Sequence, residues 1–200
     1  LYYIAPQVWA WRSGRIEHFK KYIDQMVVLF PFEAKFLKEH GYEKVHFFGH
    51  PLLDTTNNYL AITKEQFCQK FNLDPTLPIV AVFPGSRGQE LKKLLTPIVN
   101  GVNSLLKEHA NIQAIINVAP TANEKTILSS VGKDSKIKVL KADSLELLRV
   151  ADAAVLKSGT SNLQAALLDC PFFMLYIAGA LFGFIVRRFV VVNQYSIVNI

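Results

Sequence analysis

The sequence predicts an α/β protein built on doubly wound parallel sheets, and three observations predict it. Apolar runs of four to seven residues recur eight times along the 200-residue chain, with amphipathic stretches between them. From Gln89 to Lys107, the residues Leu91, Leu94, Leu95, Ile98, Val102, Leu105 and Leu106 recur at three- to four-residue steps, the spacing of one helix face. Half of the residues are hydrophobic and 19% are charged, which excludes a disordered chain, a collagen, a coiled coil and a disulfide scaffold.

In chain order the runs are Leu1 to Ile4, Met26 to Phe30, Val45 to Phe48, Ile79 to Phe83, Ile112 to Val118, Ile137 to Leu140, Ala153 to Leu156 and Phe172 to Ile177. All eight read as buried parallel strands, because parallel strands are covered on both faces and lose the polar alternation of exposed ones. Gly49-His50-Pro51-Leu52-Leu53-Asp54 follows the third run and marks a boundary. Residues 1–53 are expected to end one α/β domain, and residues 54–200 to form a second. A helix is expected from Thr63 to Phe71, followed by the turn Asp74-Pro75-Thr76-Leu77-Pro78. Cys170 to Val186 carries no charge, but its seventeen residues are at the lower limit for a membrane span. Pro171, Gly179 and Gly183 favour a buried strand followed by an apolar helix.

The chain opens on Leu1 without an initiator Met and stops at Ile200 without a solubilising tail, so it reads as an internal piece of a longer protein. No secretory signal pattern precedes residue 30. Cys68 and Cys170 have neither CxxC nor His spacing, and read as two buried thiols in a reducing compartment. The formal charge of +6 divides into +2 over residues 1–53 and +4 over residues 54–200, with no basic tract of the nucleic-acid kind. Such a surplus suits a phosphorylated ligand, an anionic membrane face or an ordinary surface.

Two loops carry the chemistry. Phe83-Pro84-Gly85-Ser86-Arg87-Gly88-Gln89-Glu90 stands where a buried strand meets a long helix. There, Gly85 and Gly88 let backbone approach a ligand, the first amides of the helix face it with partial positive charge, and Arg87 adds a bidentate donor. A phosphate fits that place, beside the plainer reading of a tight turn with Arg87 on the surface and Glu90 capping the helix. Lys157-Ser158-Gly159-Thr160-Ser161-Asn162-Leu163-Gln164 repeats the arrangement after the seventh run, with Gln164 one turn into the helix, in reach of a sugar hydroxyl. Its plainer reading is a Ser or Thr N-cap. Both loops would open on one crevice at the carboxyl ends of the strands. Neither matches GxxxxGK[ST] or GxGxxG. The histidines show no ligand spacing, and His50 is the one cleft candidate.

Tyr3-Ile4-Ala5-Pro6-Gln7-Val8-Trp9-Ala10-Trp11-Arg12, Phe30-Pro31-Phe32-Glu33, Gly49-His50-Pro51, Pro84 to Glu90 and Ser158-Gly159-Thr160 occur in the order found in lipid-A-disaccharide synthases. The chain resembles that family along its whole length. The resemblance implies a GT-B type glycosyltransferase with two doubly wound parallel-sheet domains. The first, acceptor-side domain would be incomplete here, and the second, UDP-sugar-binding domain truncated at its end. It implies transfer of 2,3-diacylglucosamine from UDP to 2,3-diacylglucosamine 1-phosphate, giving the β-1,6 lipid A disaccharide and UDP without metal or cofactor. Another UDP-sugar enzyme of this architecture, a peptidoglycan-type glycosyltransferase or a UDP-sugar epimerase, is one alternative. A non-catalytic nucleotide- or membrane-binding descendant is another.

By the same resemblance, Arg87 stabilises the leaving diphosphate, and Gly85, Ser86, Gly88, Ser158, Gly159 and Thr160 surround the UDP. Gln164 stands where the family usually has a Glu that accepts from the ribose, Asn199 lies near the donor, and Ile177 and Val198 depart from the usual basic residue and Pro. The general base is expected upstream of residue 1, so the isolated chain is expected to be inactive. Val8 to Arg12 is expected either to receive acceptor or to pack the domain. The expected partners are the two acylated sugars, the cytoplasmic face of the inner membrane as a peripheral contact, and a second copy in a homodimer of the full-length protein. Nucleic acid is not expected.

Overall fold

The computed structural model describes residues 1–10, 12–86, 88–133 and 135–176, the side chains of Gln89, Glu90 and Lys92 excepted. They fall into two compact units, residues 1–55 and 56–176.

In the first unit, β1 (Tyr2–Tyr3), β2 (Met26–Val28) and β3 (Val45–Phe47) form a parallel sheet in that order, with Tyr2 opposite Met26 and Met26 opposite Val45. Met26 and Val28 of the central strand are fully buried against Ala5, Val8, Ile16, Phe19 and Leu37. The last three come from α1 (Ile16–Tyr22) and α2 (Pro31–Glu39). The expectation of a buried first strand fails: β1 is two residues long, and Tyr2 and Tyr3 are both exposed. Among the described residues it is the outer strand of the sheet, and Ile4 at φ +67° turns the chain into a left-handed conformation that ends the strand.

The start of α2 is set by Phe30-Pro31-Phe32-Glu33. Phe30 is extended, and Pro31 takes the first helical position, where no N–H is needed. The buried Glu33 carboxylate turns back: Oε2 accepts the N–H groups of Leu29 (3.1 Å) and Phe30 (3.0 Å), and Oε1 accepts the Trp9 indole N–H (3.1 Å). The Trp9 ring meets Phe32 edge-on at 5.1 Å. Trp9 therefore packs the unit, whereas Trp11 lies outside the described residues.

The boundary between the units falls near the end of α3 (Pro51–Asn57), and the first helix wholly within the second unit is α4 (Lys64–Phe71). Thr63 and Gln66 cap α4 reciprocally: the Thr63 hydroxyl accepts the Gln66 N–H, and the Gln66 side chain accepts the Thr63 N–H. Its sheet contains β4 (Ile79–Phe83), β5 (Gln113–Asn117), β6 (Lys138–Leu140), β7 (Ala153–Lys157) and β8 (Phe172–Leu175), all parallel, in the order β6-β5-β4-β7-β8. The connecting helices are α5 (Gly88–Glu108), α6 (Glu124–Val131), α7 (Ser144–Val150) and α8 (Thr160–Leu167).

Strand side chains alternate, so each strand feeds two cores. Ile79, Ala81, Phe83, Ile115, Ala154 and Leu156 pack with Phe67 of α4, Leu147 and Leu148 of α7, and Ala165 of α8. Val82, Ala114 and Ile116 pack on the other side with Leu91, Leu95 and Ile98 of α5 and Ile127 of α6. Helices thus cover both faces, the doubly wound arrangement that the apolar runs predict. The run expected as a buried eighth strand forms β8, the outermost strand of this sheet among the described residues, with Phe173 exposed. The rest of Cys170 to Val186, from Ile177 on, lies outside the described residues. Among the described residues no helix is long and apolar enough to cross a membrane.

Cys68 and Cys170 are both buried, as their isolation in the sequence implies. Burial, and then the nearby charge of Asp152, pushes the Cys170 thiol up to about 11, so it is unreactive at neutral pH.

Asp152 ties three elements together. Its carboxylate accepts the Ile79 N–H at the start of β4 (2.8 Å) and the Lys64 ammonium from α4 (2.9 Å), while its own N–H donates to the Ile79 carbonyl (2.9 Å). Burial acts to raise its pKa, but the Ile79 N–H and Lys64 outweigh it and hold the carboxyl below its ordinary value. Asp152→Ala is expected to cost about 1 kcal/mol at pH 7, a low figure because half of the Asp152 side chain is exposed. A lowered folded pKa means that the contribution is present above the unfolded value of about 4 and is lost as pH falls through the folded one. Urea unfolding of wild type and variant should differ at pH 7 and converge as pH falls through the lowered folded value; a constant difference would contradict the charged role.

Candidate functional site

The second sheet starts at β4, runs outward through β5 to β6, and returns to the other side of β4 with β7. The order reverses between β4 and β7, and loops leaving their carboxyl ends part there to opposite faces, opening a crevice. A cavity of about 310 Å³ occupies that place, lined among the described residues by Phe83, Gly85 and Ser86 from the end of β4 onward, Asn117 and Ala119 at and beyond the end of β5, Ser144 of α7, and Lys157 to Ser161 from the end of β7 onward.

The loop after β4 turns at Gly85, whose φ of +101° disfavours any residue with a side chain. Ser86 is exposed, and Gly88 is the first residue of α5. On the far wall, Gly159 precedes α8 in an extended conformation, and no side chain caps the helix. This settles one alternative: neither Ser158 nor Thr160 is the N-cap. By contrast, the side chains of Thr63, Asn123 and Asp143 cap α4, α6 and α7. The opening amides of α8 thus carry no N-cap side chain among the described residues, an arrangement that favours an anion.

Asn117 shapes the third wall. It is buried at the end of β5, with Oδ1 accepting the Ala142 N–H (3.0 Å) and Nδ2 donating to Ser144 Oγ (3.3 Å). Asp143, between them, caps α7 by accepting the N–H groups of Leu145 (2.8 Å) and Glu146 (3.2 Å). The described lining residues include a lysine and several hydroxyls and amides but no carboxylate.

The structure brings Gly85 and Ser86 together with Ser158, Gly159 and Thr160 around this one cavity. Gln164 is half-buried within α8, and neither it nor Gly88 is among the described lining residues. Arg87, Asn199, Ile177 and Val198 lie outside the described residues, as does the side chain of Glu90. His50 belongs to the first unit: its Nδ1 accepts the Leu52 N–H (3.1 Å) at the start of α3, and its ring lies 5.3 Å from that of Phe30. Burial lowers its pKa, with Glu33 acting in the opposite direction, so its observed contacts are those of a neutral capping residue. Sequence reading missed Asn117, Ala119 and Ser144 as cavity residues, and it named Phe83, Lys157 and Ser161 within the two loops without giving them a site role. Asn117 had a signal, a polar residue ending the apolar run Ala114-Ile115-Ile116.

The fold resembles that of UDP-GlcNAc 2-epimerase from Methanocaldococcus jannaschii, with a TM-score of 0.58 over 78% of this chain and 47% of that one. At 17% identity the likeness concerns fold alone, here the GT-B type arrangement of parallel sheets flanked by helices. A lipid-A-disaccharide synthase of Coxiella burnetii (strain Dugway 5J108-111) is 40% identical over 176 residues, 88% of this chain and 46% of that protein. One from Trichlorobacter lovleyi is 34% identical over 201 residues, covering 100% of this chain and 52% of that protein. The chain thus spans about half the length of the curated relatives it matches. Residues 1–200 match the lipid-A-disaccharide synthetase family from end to end, and the chain belongs to that family.

Proposed function

We propose that this chain carries the donor-binding part of a glycosyltransferase of lipid A biosynthesis. The enzyme transfers 2,3-diacylglucosamine from UDP to 2,3-diacylglucosamine 1-phosphate, releasing UDP and the β-1,6 disaccharide. The supporting observation is the cavity between β4 and β7, in which two glycine-containing loops and the uncapped start of α8 face one space without a described carboxylate. Together with family membership, this arrangement favours the nucleoside diphosphate of a UDP-sugar.

In this reading Gly85, Ser86 and Gly88 lie along the diphosphate, Ser158, Gly159 and Thr160 along its other side, and Gln164 and Asn199 near the donor sugar or ribose. As the bond from the anomeric carbon to the diphosphate oxygen breaks, its electron pair stays on that oxygen. Fixed amides and Arg87 then stabilise the growing negative charge more than they stabilise the bound donor, and that difference lowers the barrier. Residues 1–53 belong to the acceptor side and residues 54–200 to the donor side. The whole enzyme works at the cytoplasmic face of the inner membrane as a peripheral homodimer.

Calorimetric titration of UDP into the chain and into Arg87→Ala, each shown to be folded by circular dichroism, tests this. Wild type is expected to bind, and the variant to bind about tenfold or more weakly, as loss of a charge-assisted hydrogen bond implies. Equal binding would remove Arg87 from the diphosphate. No binding by folded wild type would overturn the nucleotide reading.

A further inference from the structure

We infer that Lys157 is a further binding residue for the diphosphate of the nucleotide, an inference that rests on the nucleotide reading above. Lys157 is the last residue of β7 and lines the cavity at the point where the strand order reverses. Along β7, Ala154 and Leu156 face the core beneath α7 and α8, whereas Val155 packs with the α5 side. By the same alternation Lys157 is directed to the α5 side, where the loop after β4 runs.

The glycine of that loop fixes its course. A Cβ built on Gly85 would lie 3.5 Å from Lys157 Cδ and 3.6 Å from Cγ, so the methylene stem lies in van der Waals contact with this position. Gly85 itself is held at φ +101°. The stem of a half-buried lysine, packed over a glycine, delivers its ammonium with less freedom to lose on binding than a surface lysine has. The contact also joins the two loops that the nucleotide needs together, one after β4 and one after β7.

The chemistry is that of a point charge. An ammonium group can donate to whichever phosphate oxygens approach, without the fixed fork of a guanidinium, and its attraction grows with the negative charge of the ligand. Lys157 should therefore matter for a nucleoside diphosphate and hardly at all for the nucleoside.

Lys157→Met keeps an unbranched apolar stem over Gly85 and removes the charge. UDP is titrated calorimetrically into the wild-type chain, Lys157→Met and Lys157→Arg, with folding checked by circular dichroism, and uridine affinity is read from its displacement of UDP. Lys157→Met is expected to bind UDP about tenfold more weakly, uridine within about twofold of wild type, and Lys157→Arg to recover most of the loss. UDP binding unchanged in Lys157→Met would overturn this role while leaving the nucleotide site standing. An equal loss for UDP and uridine would overturn it as well, because it would place the effect away from the phosphates. Failure of the folded wild-type chain to bind UDP would overturn the nucleotide reading and this inference with it.

Discussion

Replacing Glu33 by alanine is expected to cost the first unit about 3 to 4 kcal/mol, since three N–H donors lose a buried carboxylate acceptor at once. Two are the backbone N–H groups of Leu29 and Phe30 entering α2, and the third is the indole of Trp9, which reaches Glu33 across 24 positions of sequence. No neighbouring water can easily replace an acceptor that is only 5% exposed. Both tryptophans of the chain lie within the first twelve residues, so tryptophan fluorescence during urea unfolding reports on this region. Glu33→Gln, which keeps the shape and one strong acceptor, should lose less than half as much. A loss below about 1 kcal/mol in Glu33→Ala would show that the three donors find other partners.

Asn117→Leu is expected to cost the second unit about 3 kcal/mol and to weaken UDP binding more than tenfold. Leucine fills similar space but leaves the Ala142 N–H without its acceptor and Ser144 Oγ without its donor. Those two partners belong to the turn that starts α7 and forms one wall of the cavity. Circular dichroism measures the first effect and UDP calorimetry well below the unfolding temperature the second. Lost stability with unchanged UDP affinity would make Asn117 a structural strap with no bearing on the ligand.

The strands were legible because burial on both faces writes itself as continuous apolar runs, and Ile79 to Phe83 matches β4 residue for residue. The same signal cannot tell a central strand from an edge. Tyr2, Tyr3 and Phe173 are as apolar as their buried counterparts, yet among the described residues they lie on strands paired on one side only. The turn at Gly85 could be read locally, because glycine tolerates the left-handed backbone that such a turn uses. Asn117 and Ser144 could not be read as neighbours. They meet only because β5 pairs with β6, which sets Asn117 opposite Leu140 just before the turn into α7, and an apolar run does not announce its place in a sheet. The contact between Lys157 and Gly85 likewise depends on β7 returning to pair with β4. Trp9 and Glu33 show the same limit in the first unit: both stood out as motif letters, but their pairing was invisible until the chain was folded.

The two-sided use of β4 constrains how chains of this fold can change length. Ile79, Ala81 and Phe83 serve one core while Val82 serves the other. Deleting a single residue inside the strand would exchange the two sets and misdirect Gly85 relative to β7. A residue added in an exposed turn such as 74–76 instead lengthens a loop and leaves both cores in register.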